Sequence, residues 1–240
     1  MSRYKYWLKG VKDGFPIFLG YFAVSFTLGI AAKGVGLSPI EATVMSATNF
    51  TSAGELAALG IIASSSSYIE MAFTQLIINL RYCLMSSALS QKLSPKTSIL
   101  HRLFIAFGNT DEIFAVSSAQ IGYISPYYSY GLMTLPLPGW TVGTYLGVVA
   151  GGLLPPNIIS ALSVALYGMF IAIIIPPSRK NKVIAGVVII SMLLSAAFTF
   201  APLLKSIPSG FRIIILTVII VGGAAYFFPV EDKKVDNNEK

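Results

Sequence analysis

The chain has 240 residues, 55% of them hydrophobic and 11% charged, a net charge of +7 and a mean hydropathy of +0.73. A soluble globular chain carries about 25% charged residues, so the composition excludes that class and reads as an all-α, polytopic integral membrane protein. The basic residues cluster at the N-terminus and in short loops, which makes them orientation signals and excludes a nucleic-acid footprint. One cysteine, Cys83, excludes an intrachain disulfide and reads as a small packed side chain.

In chain order, apolar segments fall near residues 14–33, 39–62, 68–90, 102–124, 129–153, 157–175, 183–203 and 212–229, giving six to eight hydrophobic helical segments. They read as one membrane domain over 1–230, with a charged, disordered tail over 231–240. The first segment follows Arg3, Lys5, Lys9 and Lys12, as a signal peptide would. It is longer than the usual apolar core of about 7–15 residues and lacks a clear cleavage pattern, so it is expected to be a retained span with a cytoplasmic N-terminus.

Segment 39–62 carries Asn49-Phe50-Thr51-Ser52-Ala53-Gly54-Glu55 at its middle. An ionisable group there costs at least ~2.5 kcal/mol on insertion scales, and such groups default to a functional site. Segment 68–90 has Asn79-Leu80-Arg81 near its centre, and segment 102–124 has Asn109-Thr110-Asp111-Glu112. At a rise of about 1.5 Å per residue, the three polar knots lie at similar depth.

The positive-inside rule wants three basic stretches on one side: the N-terminus, Lys92–Lys96–Arg102, and Arg179–Lys180–Lys182. Three segments separate each stretch from the next, so simple crossing would alternate their sides. The conflict disappears if 39–62 and 102–124 are broken or re-entrant. The two groups of three segments hint at an internal repeat, although the broken one comes second in the first group and first in the second. Lys205 and Arg212 fall on the other side in this topology, mildly against it.

Segment 129–153 holds Gly139, Gly143, Gly147 and Gly151 at a spacing of four, one face of a helix built for close approach. The neighbour is either another helix of this chain or another subunit. Pro136 and Pro138 should break or kink its start, and Trp140 is a packing residue or an interfacial anchor. The last two segments, without interior ionisable groups, read as scaffold.

Arg81 keeps its proton and needs an anion, Asp111 or Glu112. Adjacent residues point about 100° apart on a helix, so those two should not share one role. Glu55 and the remaining acid are left without a cation, and in a low dielectric such a carboxyl tends to take up a proton. Glu55, Asp111 and Glu112 are therefore the candidate proton-coupling residues. Asn49, Thr51, Ser52, Gly54, Glu55, Asn79, Arg81, Asn109 and Thr110 are the candidate substrate-binding residues. An unwound stretch around Gly54 would present half-helix N–H groups to a substrate carboxylate. Glu55 or Asp111 would face an ammonium, and Phe50, Leu56, Phe107 and Phe114 an apolar side chain. A fixed ion network that only holds helices together is the competing reading. His101 is alone, at a loop, so neither a zinc site nor a catalytic triad can be built. No phosphate-binding loop occurs, and no enzyme activity, cofactor or metal is expected.

The stretches Gly14-Phe15-Pro16-Ile17-Phe18-Leu19-Gly20, Gly36-Leu37-Ser38-Pro39-Ile40-Glu41-Ala42, Ala53-Gly54, Asn79-Leu80-Arg81-Tyr82, Thr110-Asp111-Glu112-Ile113-Phe114-Ala115, and Trp140 with Gly143-Thr144-Tyr145-Leu146-Gly147 resemble the AzlC family, the large subunits of branched-chain amino acid exporters. The resemblance covers about residues 10–178. It implies export of leucine, valine, isoleucine or another apolar amino acid across a bacterial inner membrane, with a small AzlD-like membrane subunit; lipid is the remaining expected partner. The chain departs from the family pattern at Glu55, where a glutamine is usual shortly after Ala-Gly, and at Leu162–Leu166, which lacks an aspartate. A channel or carrier for another small solute, and a non-transporting scaffold subunit, are the rival readings.

Overall fold

The computed structural model describes residues 2–155, 181–201 and 209–228, with isolated positions between 157 and 207. Two compact units result, Met1–Phe170 and Ile171–Lys240. Segment 157–175 falls almost wholly outside the described residues, as do Leu162–Leu166 and the tail 231–240.

The first unit is helical throughout its described elements. Helix α1, Arg3–Gly34, starts well before the apolar run because Ser2 caps it, its side chain accepting from Lys5 N. Segment 39–62 is two helices, α2 (Pro39–Asn49) and α3 (Ser52–Ala63), joined through Phe50 in the left-handed region at φ 42°. Helix α4 spans Tyr68–Gln91. Segment 102–124 is likewise two helices, α5 (Ile99–Phe107) and α6 (Asp111–Ser118), broken at Gly108–Thr110. Segment 129–153 is α7 (Pro126–Thr134) and α8 (Pro136–Ala150), interrupted at Leu135, where the two prolines begin.

Both broken segments are hairpins that return to the end they left. The first leaves the C-terminal turn of α1, where Leu37 N donates to Ala32 O, and starts with a capping box between Ser38 and Glu41. On the way back, Leu59 of α3 is buried with Ala42 of α2 and Ala32 of α1. Helix α4 then runs antiparallel to α3, with Gln75 Nε2 donating to Gly54 O at 2.8 Å and Thr51 Oγ1 to Asn79 Oδ1 at 2.7 Å. The second hairpin leaves the loop after α4 and comes back to it, since Ile124 N donates to Lys92 O at 2.8 Å.

The basic ends therefore coincide. Lys9 Nζ donates to Gln120 Oε1 at 2.7 Å and Lys92 Nζ to Gln120 O at 2.8 Å, so the N-terminal arm and the Lys92 loop share one end. A labelling prediction follows. In a Cys83→Ser background, cysteines at Lys5 and Lys96 should react with an impermeant maleimide from one side, and a cysteine at Ser65 from the other. Opposite sides for positions 5 and 96 would sink the re-entrant topology.

A span followed by a hairpin occurs twice, α1 with α2–α3 and α4 with α5–α6, in opposite directions. The hinted repeat is thus present with a different phase: its boundary falls before α4, and α7–α8 closes the unit. Hydropathy alone weights spans and hairpins equally, so grouping by threes misplaced that boundary.

The glycine face of α8 packs inside the chain, against α1. A Cβ on Gly147 would overlap the Phe26 carbonyl oxygen, and one on Gly29 the Thr144 carbonyl oxygen. Helices at this separation gain dispersion contact along their backbones, which is the driving term available in lipid. Outward faces carry Leu19, Val44, Phe73, Leu76, Leu80, Leu84 and Leu103 exposed, a coat suited to acyl chains. Cys83 belongs to that coat: it is exposed beside Leu80, Leu84 and Ser87, correcting its reading as a packed side chain. His101 is also not in a loop; it sits in α5 with Nδ1 2.5 Å from the Tyr130 hydroxyl.

In the second unit, helices Lys182–Phe200 and Ser209–Phe227 pack together. Helices α1 and Lys182–Phe200 are each long and apolar enough to cross a membrane.

Candidate functional site

The two hairpin tips meet at mid-depth, where Phe50 and Phe107 stand edge to face with centroids 5.4 Å apart. Behind them, the N-terminal turns of α3 and α6 open on one polar cavity. Tyr21, Phe50, Ser52, Tyr82, Thr110, Asp111, Glu112 and Trp140 line it. It leaves about 20 Å³ for the centre of a water-sized sphere, room for roughly one water. A whole amino acid does not fit in that space.

Each half-helix start is a consequence of local sequence. Thr51 caps α3, its Oγ1 accepting from Gly54 N at 3.4 Å. Glu55 reaches back one turn, and its Oε1 accepts from Thr51 N at 3.3 Å and from Trp140 Nε1 at 3.0 Å. The chain's own carboxylate thus occupies part of the amide end anticipated for a substrate carboxylate. Glu55 is 1% exposed, and its Oε2 has no hydrogen-bond partner. Ser46, which hydrogen-bonds Thr144 at 2.7 Å, is the hydroxyl beside that carboxyl.

At the second tip Thr110 precedes α6 without capping it. Its hydroxyl lies 2.5 Å from the Tyr21 hydroxyl, which is also 2.5 Å from Glu112 Oε2. Tyr21 has one proton to give, so it donates to the carboxylate and accepts from Thr110. The first-turn N–H groups of α6 stay free of a side-chain cap and carry the positive end of its dipole.

Arg81 pairs with Asp111, Nη1 to Oδ2 at 2.5 Å, and each side chain is about a third exposed. Glu112 points away to Tyr21, as the 100° step predicts. The fixed four-member ion network does not form: among the described residues, Glu55 makes no ion pair.

The expected substrate-binding residues divide. Ser52 and Thr110 line the cavity, and Thr51 and Gly54 form the capped first turn of α3 next to it. Asn79 holds Thr51 and Arg81 holds Asp111 from α4. Asn49 does not line that cavity; it is exposed, its Nδ2 donates to Met45 O, and it lines a neighbouring space with Gly54, Glu55 and Gln75. Asn109 is buried with Nδ2 donating to Ser86 Oγ at 3.3 Å, behind the tip. Of the apolar set, Phe50 lines the cavity and Phe107 contacts Phe50 from the second tip, whereas Leu56 and Phe114 pack against the two cores.

Three contributors escaped the sequence reading. Trp140 is neither plain packing nor an interfacial anchor: it is 3% exposed and holds Glu55. Tyr21 lies edge-on to Trp140, with centroids 5.4 Å apart. Gln75 ties α4 to the first tip, its Nε2 donating to Gly54 O and its Oε1 accepting from Asn79 Nδ2. The signal for the last was present, because Gln75, Asn79, Tyr82 and Ser86 recur at helical period in an apolar span.

These features define a polytopic membrane protein whose discontinuous helices meet around a buried polar site. The AzlC protein family matches residues 16–154, and the chain belongs to that family. It is 34% identical over 191 residues to a protein of Archaeoglobus fulgidus named as an uncharacterized membrane protein, covering 78% of this chain and 83% of the relative. It is 26% identical over 182 residues to the inner membrane protein YgaZ of Escherichia coli, covering 73% of this chain and 74% of the relative. No solved structure matches it.

Proposed function

We propose that this chain is the carrier subunit of a secondary transporter that exports branched-chain or other apolar amino acids across the bacterial inner membrane. Export is driven by protons and assisted by a small AzlD-like membrane subunit. The observation that carries this reading is the meeting of two hairpins, entering from opposite ends, at one small polar cavity. Alternating access is built on such crossed, inverted elements with a midplane site. The uncapped α6 start and the remaining first-turn amides of α3 suit a substrate carboxylate. Glu112 and Asp111, themselves the first-turn residues of α6, suit its ammonium, which leaves the α3 amides as the better seat for the carboxylate. Glu55, buried and in no ion pair among the described residues, is the proton-coupling group. The shared basic end faces the cytoplasm, with the N-terminus.

Cells preloaded with labelled leucine, valine, isoleucine and methionine should lose label faster when the chain is expressed with a small membrane partner. The efflux should saturate and should collapse with the proton gradient. No efflux of any of the four, with the chain confirmed in the membrane, would overturn the reading.

A further inference from the structure

We infer that the apolar groove on the far side of Phe50 is the seat for the transported molecule's hydrocarbon side chain, with Phe50 as the partition between that seat and the polar cavity. This rests on the carrier reading above and specifies how its substrate is recognised. The groove has a volume of about 490 Å³, and Phe50, Phe107, Met133, Leu137, Pro138 and Val142 are among its walls. That volume falls within the range of small-molecule sites, about 300–1,000 Å³, but the groove is wide open along one side rather than enclosed. Phe50 lines both spaces. One ring therefore separates a space with two carboxylates and two half-helix ends from one with almost no polar surface. A zwitterion with a hydrocarbon side chain has complementary parts for both, provided the ring moves aside.

Phe50 is placed to move. Its φ of 42° puts a bulky aromatic residue in the left-handed region, which costs of order 1–3 kcal/mol and persists only where the surroundings impose it. The surroundings here are the edge contact with Phe107, the matching tip residue of the second hairpin. Gly108, next in line, lies against Met133 and Leu137 of the groove wall. Displacement of either tip therefore changes the groove and the partition together. The lipid-facing opening makes an acyl chain the competing occupant, and the two are separable because only a substrate seat discriminates among substrates.

The test is the ratio of kcat/KM for leucine to that for alanine, in vesicles containing the full chain and its small subunit. Val142→Trp fills the groove and should lower that ratio by at least about tenfold, since single methylenes in apolar pockets are worth roughly 10–200-fold. Phe50→Ala removes the partition and should raise the phenylalanine-to-leucine ratio by about fivefold or more. Ratios within about twofold of the unaltered chain for both variants would assign the groove to lipid and overturn the inference. If the unaltered chain moves neither leucine nor alanine, the carrier reading fails first and takes the seat with it. Two variants guard against one that does not insert, and membrane-localised protein is quantified for each.

Discussion

Gly147→Ala is expected to destabilise the first unit while Gly60→Ala stabilises it, although both add one methyl group to a helix interior. Helix propensity alone favours alanine by about 0.5–1 kcal/mol. At Gly60 nothing lies within 4 Å of the added carbon, so that gain stands. At Gly147 the carbon overlaps the Phe26 carbonyl oxygen and crowds the Gly29 backbone. Backbone cannot rotate out of the way as a side chain does, so α1 and α8 must separate. Overpacking costs about 1–3 kcal/mol where side chains can adjust, and a net loss of about 3 kcal/mol is expected here. The loss spreads to the site, because α1 carries Tyr21 and α8 carries Trp140. Thermal unfolding of the detergent-solubilised chain, followed by size-exclusion fluorescence, should show opposite shifts for the two variants. An unchanged midpoint for Gly147→Ala would mean that the α1–α8 contact is looser than described.

Glu55→Gln is expected to keep the fold and abolish proton-driven flux. The glutamine carbonyl still accepts from Trp140 Nε1 and Thr51 N, the two bonds that Glu55 Oε1 makes. Its amide replaces Oε2, the atom without a partner, beside the Ser46 hydroxyl. The variant loses only the ability to gain and lose a proton. Net efflux against a concentration gradient should fall on the order of 10²-fold, the scale of a lost positioned proton-transfer group, and its pH dependence should flatten. Exchange of labelled for unlabelled leucine, which needs no net proton movement, should persist. Unchanged uphill efflux with its pH profile intact would remove Glu55 from the coupling role and leave Asp111 and Glu112 as the remaining candidates.

Much of this architecture was legible in the residues. Apolar runs interrupted by Asn, Thr, Gly and Glu could not cross as continuous helices, and the basic stretches balanced only if those runs turned back. Arg81 required an anion at its own depth, and Asp111 supplies it. The faces were harder to read. A tyrosine among the aromatics of the first segment and a tryptophan after two prolines look like packing, and only the α1–α8 contact turns both toward the cavity. Asn49 lies off the polar cavity because the last turn of α2 offers its amide an acceptor, Met45 O. Cys83 lies on the outward stripe of α4, a choice that a uniformly apolar flank leaves open.

The contact between Gly29 and Gly147 also has a temporal side. The ribosome completes α1 and both hairpins before it has made the strip of α8 on which they rest. Until then Glu55 has no Trp140 to bind, and Thr110 and Glu112 face Tyr21 on a helix not yet braced. The two re-entrant turns are inserted before the wall that shelters them from lipid exists. Until residues 136–150 arrive, the two hairpin tips lack the wall that α8 gives them, and that helix turns a string of separate pieces into one packed unit.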